Sequence, residues 1–79
     1  MKYIAILHHY VSGLGHQGSE QIEGTTDALF SADDYAQNLE DEENAWTEIE
    51  INFFADNADP MFDTPIHTSV SNNTIAGKL

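Results

Sequence analysis

Residues 46–54 read Trp-Thr-Glu-Ile-Glu-Ile-Asn-Phe-Phe, and their period of two constrains the fold more than any other part of the chain. One side of the pattern carries Thr47, Ile49, Ile51 and Phe53, and the other carries Glu48, Glu50 and Asn52. Successive side chains of a strand point to opposite faces of a sheet. The pattern therefore predicts an antiparallel strand with one face buried and the other exposed.

Residues 2–10 predict a second strand, because this apolar run has no helical spacing. Apolar side chains occur on both of its faces, with Tyr3, Ala5 and Leu7 on one and Ile4 and Ile6 on the other. A strand that is apolar on both faces is typical of the centre of a sheet, or of a strand whose second face is covered.

The other strand predictions rest on weaker patterns. Gly13–Gly18 is expected to be a flexible connection, followed by a weak strand over Glu20–Thr26 that Gly24 interrupts. Turn-forming residues at 56–60 precede a last strand over Ile66–Ser71, in which apolar or β-branched side chains alternate with polar ones.

A helix is predicted to begin after Ser31, which is a favourable N-cap residue. Asp33 and Asp34 would then lie in the first turn, where the helix dipole favours negative charge. The helical spacing of apolar residues gives one narrow stripe, formed by Ala32, Tyr35, Ala36 and Leu39. An earlier start is the alternative, with Thr26 as the cap.

Together these elements predict one small α+β domain over residues 1–79: a three- or four-stranded antiparallel sheet with one helix packed on one face. The expected order is strand, weak strand, helix, strand, strand. The chain has no cysteine, so disulfides and thiolate zinc sites are excluded. Its 41% hydrophobic content argues for a folded core despite the strong acidity.

The charge balance restricts the partners. Fourteen acidic residues stand against Lys2 and Lys78, which gives a formal net charge of −12. Proteins that bind nucleic acid neutralise phosphates with lysine and arginine, so this chain is expected to bind neither nucleic acid nor anionic lipid. It also has no apolar run long enough to span a membrane. We expect a cytoplasmic protein whose partner is basic.

The stretch from Glu20 to Glu50 contains eleven carboxylates and no lysine or arginine. A small domain needs a net charge of only about 2–8 in magnitude for solubility. Acidic residues at the end of the predicted helix also oppose its dipole. These points favour recognition by a partner over a simple solvated face. The candidate partner-binding residues are Asp33, Asp34, Glu40, Asp41, Glu42, Glu43, Glu48 and Glu50.

Signals for catalysis and cofactors are weak. Gly13–Gly18 matches G-x-G-x-x-G, but Gly24 and the threonines after it interrupt the helix that would have to hold a diphosphate. There is no cysteine nucleophile and no serine in a recognisable elbow motif. We therefore expect a protein that is not an enzyme and that has no cofactor.

The histidines provide an alternative hypothesis, a metal-binding module that uses His8 or His9 together with His16. His8 and His9 are adjacent on a predicted strand, so they would point to opposite faces and could not easily share an ion. A second alternative is an acidic subunit of a homo-oligomer. It is suggested by the two-sided first strand and by Trp46 and Phe54, which could be exposed.

The chain resembles the phage-encoded anti-CRISPR proteins in size, charge and layout, including its Met-Lys-Tyr-Ile start and the absence of cysteine. Several members of that group mimic DNA. The resemblance implies an inhibitor that occupies the basic DNA channel of a CRISPR effector, a multi-subunit surveillance complex. Asp33, Asp34, Glu40–Glu43, Glu48 and Glu50 would then replace target phosphates and pair with basic side chains.

Overall fold

A computed structural model describes residues 1–37 and 44–71 of the chain. Its elements in chain order are β1 (Lys2–Val11), β2 (Gly15–Thr25), α1 (Ala32–Ala36), β3 (Ala45–Phe54) and β4 (His67–Ser71). The four strands form one antiparallel sheet in the order β2-β1-β3-β4, and α1 packs against β3 and β4. The predicted fold class and element order are both confirmed.

Strand β1 lies in the interior of the sheet, as its two-sided apolar pattern predicts. It pairs with β2 on one side and with β3 on the other, and Ala5 lies between Ile22 and Ile51 in the register. We name the two sides of the sheet by what packs on them. The covered face carries Ala5, Ile51 and their neighbours under α1, and the open face carries the alternate residues.

The covered face contains the hydrophobic core. Its fully buried residues are Ala5, Leu7, Ala32, Ile49, Ile51 and Phe53. The ring of Phe30, in the segment before α1, meets Phe53 edge-on at a centroid distance of 5.0 Å and Tyr3 at 5.2 Å. These aromatic contacts close the core at the end of the sheet where β1 begins.

Helix α1 begins where the sequence predicts. Ser31 has an extended backbone, and its Oγ accepts a hydrogen bond of 3.0 Å from the backbone N–H of Asp34. The alternative start at Thr26 is wrong, because residues 26–30 form no helix. Thr26 instead donates its hydroxyl to the carbonyl oxygen of Ala28. Leu39, the last residue of the predicted stripe, lies outside the described residues.

Two predictions about β2 are wrong. The strand begins at Gly15, so the connection is a tight turn in which Gly13 and Gly15 have φ values of +83° and +78°. Such angles suit glycine, so the turn accounts for the glycines at positions 13 and 15. Gly24 also does not interrupt the strand. It lies opposite Tyr3 in the register and leaves room for the Tyr3 ring beside its backbone.

Strand β4 is short and presents His67, Ser69 and Ser71 to the covered face. Ser71 is buried there, whereas Val70 and the preceding Ile66 are 55% and 59% exposed. A hydrogen bond joins the helix to β4, because the backbone N–H of Ala32 donates to the Oγ of Ser69 at 2.9 Å. Within residues 1–37 and 44–71, no helix is long and apolar enough to cross a membrane.

Candidate binding surface

Glu48 and Glu50 lie on the open face of β3, as the alternation predicts, and both are half-buried. In the register, Glu48 lies opposite His8 of β1, and Glu50 lies between Ile6 of β1 and Val70 of β4. Two residues separate the carboxylates along one strand face, a spacing of about 7 Å. The strand therefore holds two negative charges in a fixed row on a surface that α1 does not cover.

Tyr10 is a neighbour of Glu48 on the open face. Partial burial raises the pKa of Tyr10, and hydrogen bonding to Glu48 and the negative charge of Glu48 raise it further. Glu48 remains an acceptor with spare lone pairs, since a carboxylate can accept several hydrogen bonds.

Asn52 orients the second carboxylate. Its Nδ2 donates to Oε2 of Glu50 at 3.2 Å, and its Oδ1 accepts from the hydroxyl of Thr68 at 2.7 Å. Neither Glu48 nor Glu50 takes part in an ion pair within the described residues. In the part of the chain that the structure describes, no positive side chain therefore pairs with the row.

An aromatic pair borders the row beyond Glu48. The rings of Tyr10 and Trp46 stack with centroids 5.2 Å apart and an interplanar angle of 6°. His16 meets the Tyr10 ring edge-on at 5.2 Å. Trp46 is only 9% exposed and Phe54, also on this face, only 4%. The expectation that these two side chains are exposed is therefore wrong, and it no longer supports a homo-oligomer.

An apolar groove borders the row on the other side, beyond Asn52. Its volume is about 440 Å³. Its lining combines apolar residues from β1, β3 and the loop after β3 with three polar side chains: Ile4, Ile6, Phe54, Pro60, Met61, Gln21, Glu23 and Asn52. The open face thus offers apolar surface and carboxylates side by side, a composition that suits a protein partner.

The remaining predicted site residues do not join this row. Asp33 and Asp34 belong to α1, which packs on the covered face, so the sheet separates them from Glu48 and Glu50. The Oδ1 atom of Asp33 accepts a hydrogen bond of 3.0 Å from the hydroxyl of Ser71. Glu40, Asp41, Glu42 and Glu43 lie outside the described residues. Negative charge therefore occurs on both sides of the sheet.

The histidines of β1 also lie on both faces of the sheet. His8 lies on the open face, where its Nδ1 is 2.6 Å from Ser19 Oγ, and His9 lies on the covered face, where its Nε2 is 2.9 Å from Glu20 Oε1. Their predicted opposite orientation is confirmed. His16 Nε2 is also 3.0 Å from Ser19 Oγ. The described part of the chain contains no group of three histidine or acidic side chains placed to hold a metal ion.

Sequence reasoning did not identify the groove. The sequence does contain one indication of the groove. Ile4 and Ile6 form the second apolar side of β1, and both are half-buried beside the loop after β3. Periodicity assigns these residues to a face. It does not show that Pro60 and Met61 from a distant loop form a wall beside them.

Comparison with protein-family models, with curated proteins and with solved structures gives no match to this chain.

Proposed function

We propose that the protein is a non-enzymatic inhibitor that binds a basic nucleic-acid-binding protein through the open face. In this role the carboxylates of Glu48 and Glu50 take the places of nucleic-acid phosphates in a channel lined by lysine and arginine. By resemblance, the partner is a DNA-binding subunit of a CRISPR effector complex in the cytoplasm of the host cell. The protein itself binds no nucleic acid.

The observation that carries the proposal is the row of Glu48 and Glu50, which has no ion pair within the described residues on a face that α1 leaves open. The long-range field of a chain with a net charge of −12 attracts a cationic surface and accelerates association. At close range, an arginine can form charge-assisted hydrogen bonds with Glu48 or with the Glu50 carboxylate that Asn52 orients.

The distribution of acids also determines how much of a channel the protein can fill. Asp33 and Asp34 face away from the open face and would contact a second wall of a channel that encloses the domain. The principal-axis extents of 42 × 21 × 16 Å describe an elongated slab. A channel built for a duplex could accept such a slab with acids on both sides.

Charge reversal tests the proposal directly. The probe is a purified multi-subunit CRISPR surveillance complex, and calorimetry measures its affinity for the protein at low and high salt. We expect affinity to fall steeply with salt, because screening weakens attraction between exposed charges. We expect Glu48→Lys/Glu50→Lys to abolish binding, and the parent protein to displace a labelled target DNA from the complex.

A matched control separates the site from net charge. Glu50→Lys and Asp27→Lys change the charge equally, but Asp27 is exposed in the connection between β2 and α1. Glu50→Lys should weaken binding at least tenfold more than Asp27→Lys, with circular dichroism unchanged in both. Equal losses of affinity in the two variants would show that binding depends on the total charge of the protein and not on a specific site. If Glu48→Lys/Glu50→Lys bound as tightly as the parent protein, the open face would not be the interface.

A further inference from the structure

Two adjacent apolar side chains project from the loop between β3 and β4. Met61 is 86% exposed and Phe62 is 83% exposed, the highest values among large apolar residues in the described part of the chain. Single exposed apolar residues are common on proteins. Two consecutive ones on a protruding turn form a small apolar surface, which we call the apolar tip.

Hydrogen bonds from two aspartates hold the apolar tip in one conformation. The Oδ1 of Asp59 accepts from the N–H of Met61 at 3.0 Å, and the Asp59 N–H donates to Oδ2 of Asp63 at 2.7 Å. The carbonyl oxygen of Asp59 also accepts from the N–H groups of Phe62 and Asp63 at 3.0 and 2.8 Å. This reciprocal arrangement resembles a capping box with Pro60 in the first position of the turn.

Preorganisation of this kind favours binding. A side chain that is already presented in one backbone conformation loses less conformational entropy when it enters a pocket. Aromatic residues that fill a pocket at an interface supply a large share of its affinity. Phe62 has the size and exposure for such an anchor, and Met61 has the flexibility to fill an irregular gap beside it.

The charges near the apolar tip indicate the kind of surface that receives it. Asp59 and Asp63 flank the tip, and the positive groups nearby already have partners. Lys2 Nζ donates to the carbonyl oxygen of Ala58 at 3.0 Å, and the N-terminal amine pairs with Asp56 at 2.8 Å. A membrane with anionic lipids would repel this loop. An apolar pocket with a rim of lysine and arginine would complement it.

We propose that the apolar tip inserts into an apolar pocket on the same basic protein that binds the open face. This inference rests on the proposed function and adds to it a hydrophobic anchor for the partner. Met61 lines the groove on the open face as well as forming part of the tip. The tip and the row of Glu48 and Glu50 therefore border one continuous surface that a single partner can cover.

The test uses the full chain with Phe62→Ala, Met61→Ala or both, and Leu14→Ala as the matched control. Leu14 is 73% exposed in the turn after β1, at the opposite end of the sheet from the tip. The probe is the purified multi-subunit CRISPR surveillance complex that tests the proposed function, and calorimetry measures its affinity for each variant. Vesicles of phosphatidylcholine form a second arm that reports binding to lipid.

We expect Phe62→Ala to weaken binding about thirtyfold, as for an interface anchor, and the double variant to weaken it further. Leu14→Ala should change it less than about threefold. The loss should persist in high salt, since it removes apolar contact and not charge. Unchanged melting temperatures would exclude misfolding.

Several results would overturn the inference. Full affinity of the tip variants would refute it while leaving the proposed function intact. Equal losses from Leu14→Ala and Phe62→Ala would show that the tip has no special part. Binding to vesicles that depends on Phe62 would assign the tip to lipid instead. Failure of the parent chain to bind the surveillance complex would refute the proposed function, and this inference with it.

Discussion

Strand β3 presents two faces that differ in almost every property. On the covered face, Ile49, Ile51 and Phe53 are at most 1% exposed and pack under α1 and Phe30. On the open face, Glu48 and Glu50 are half-buried and have no cationic partner within the described residues. One strand thus separates the core from the face that we propose for recognition, because its period of two assigns alternate residues to opposite faces.

The comparison shows which substitutions the domain can tolerate. A chain of 79 residues buries only about 60% of its unfolded surface, so its stability depends on few apolar side chains. Most of those side chains lie on the covered face, although Trp46 and Phe54 are buried on the open face. Substitution of the acidic residues of the open face should alter binding with little effect on stability, and substitution of the apolar residues of the covered face should do the reverse.

The largest expected effect is the loss of stability caused by Phe53→Ala. Phe53 is fully buried and contacts the rings of Phe30 and Tyr3, with centroids at 5.0 and 6.5 Å. Removal of a buried phenylalanine side chain destabilises a protein by about 3–5 kcal/mol. This loss is a large part of the stability of a small domain. Urea denaturation followed by circular dichroism would measure it.

Glu50→Ala, on the other face of the same strand, is the control for this prediction. It should change the free energy of unfolding by no more than about 0.5 kcal/mol, as is usual for surface sites. If Glu50→Ala destabilised the domain as much as Phe53→Ala, both faces would contribute equally to stability. A loss of binding in an open-face variant could then not be distinguished from a loss of folded protein.

A smaller effect is expected for Gly24→Ala in β2. A Cβ atom at this position would lie 2.5–2.7 Å from three atoms of the Tyr3 side chain. Tyr3 cannot turn away freely, because its ring packs against Phe30 and Phe53. Overpacking of this kind costs about 1–3 kcal/mol. Thermal unfolding of the variant should show a clear decrease in melting temperature.

Gly18→Ala tests whether steric contact with Tyr3 is the cause. Gly18 lies in the same strand, and a Cβ atom there would have no neighbour within 4 Å. Gly18→Ala should leave stability unchanged or raise it slightly, since alanine has less conformational freedom than glycine in the unfolded chain. A similar loss at both positions would point to a general effect of glycine in β2.

The elements that the sequence predicts well are those with strong local signals. The alternation of 46–54 predicts both the extent of β3 and the face that Ile51 occupies. The apolar residues on both sides of 2–10 predict the interior position of β1. Ser31 with Asp33 and Asp34 predicts the first residue of α1. In each case the signal lies within a few neighbouring residues, and tertiary contacts reinforce it.

The incorrect predictions depend on contacts between distant residues. Gly24 has the sequence appearance of a break in a strand, and only the ring of Tyr3 across the register explains it. The sequence also left open whether the acidic residues share one face: Glu48 and Asp33 belong to the same acidic stretch, yet α1 places Asp33 on the covered side of the sheet. Sequence spacing alone does not determine which side of a sheet a helix will cover.

The smallest expected effect is a change in the pKa of a tyrosine. Tyr10 lies on the open face of the sheet, and Tyr35 lies on the covered face. Partial burial raises the pKa of Tyr10 above the usual 10.0, and the hydrogen bond and charge of Glu48 raise it further. Burial also raises the pKa of Tyr35, with smaller contributions from Tyr3 and Glu20. The stability that these neutral hydroxyls contribute is present below pH 10 and is lost as the pH rises above it.

Glu48→Gln should lower the pKa of Tyr10 towards its usual value without reaching it, because burial is the larger cause and remains. The pKa of Tyr35 should not move, and Glu50→Gln should leave both tyrosines unchanged. Nuclear magnetic resonance of chains labelled with ¹³C at tyrosine Cζ resolves each titration. A shift of Tyr10 in Glu50→Gln as large as in Glu48→Gln would mean that the field of the whole row acts on Tyr10, and not its hydrogen bond to Glu48. The open face would then behave as one diffuse negative surface, and recognition of Glu48 by an individual arginine would have to be abandoned.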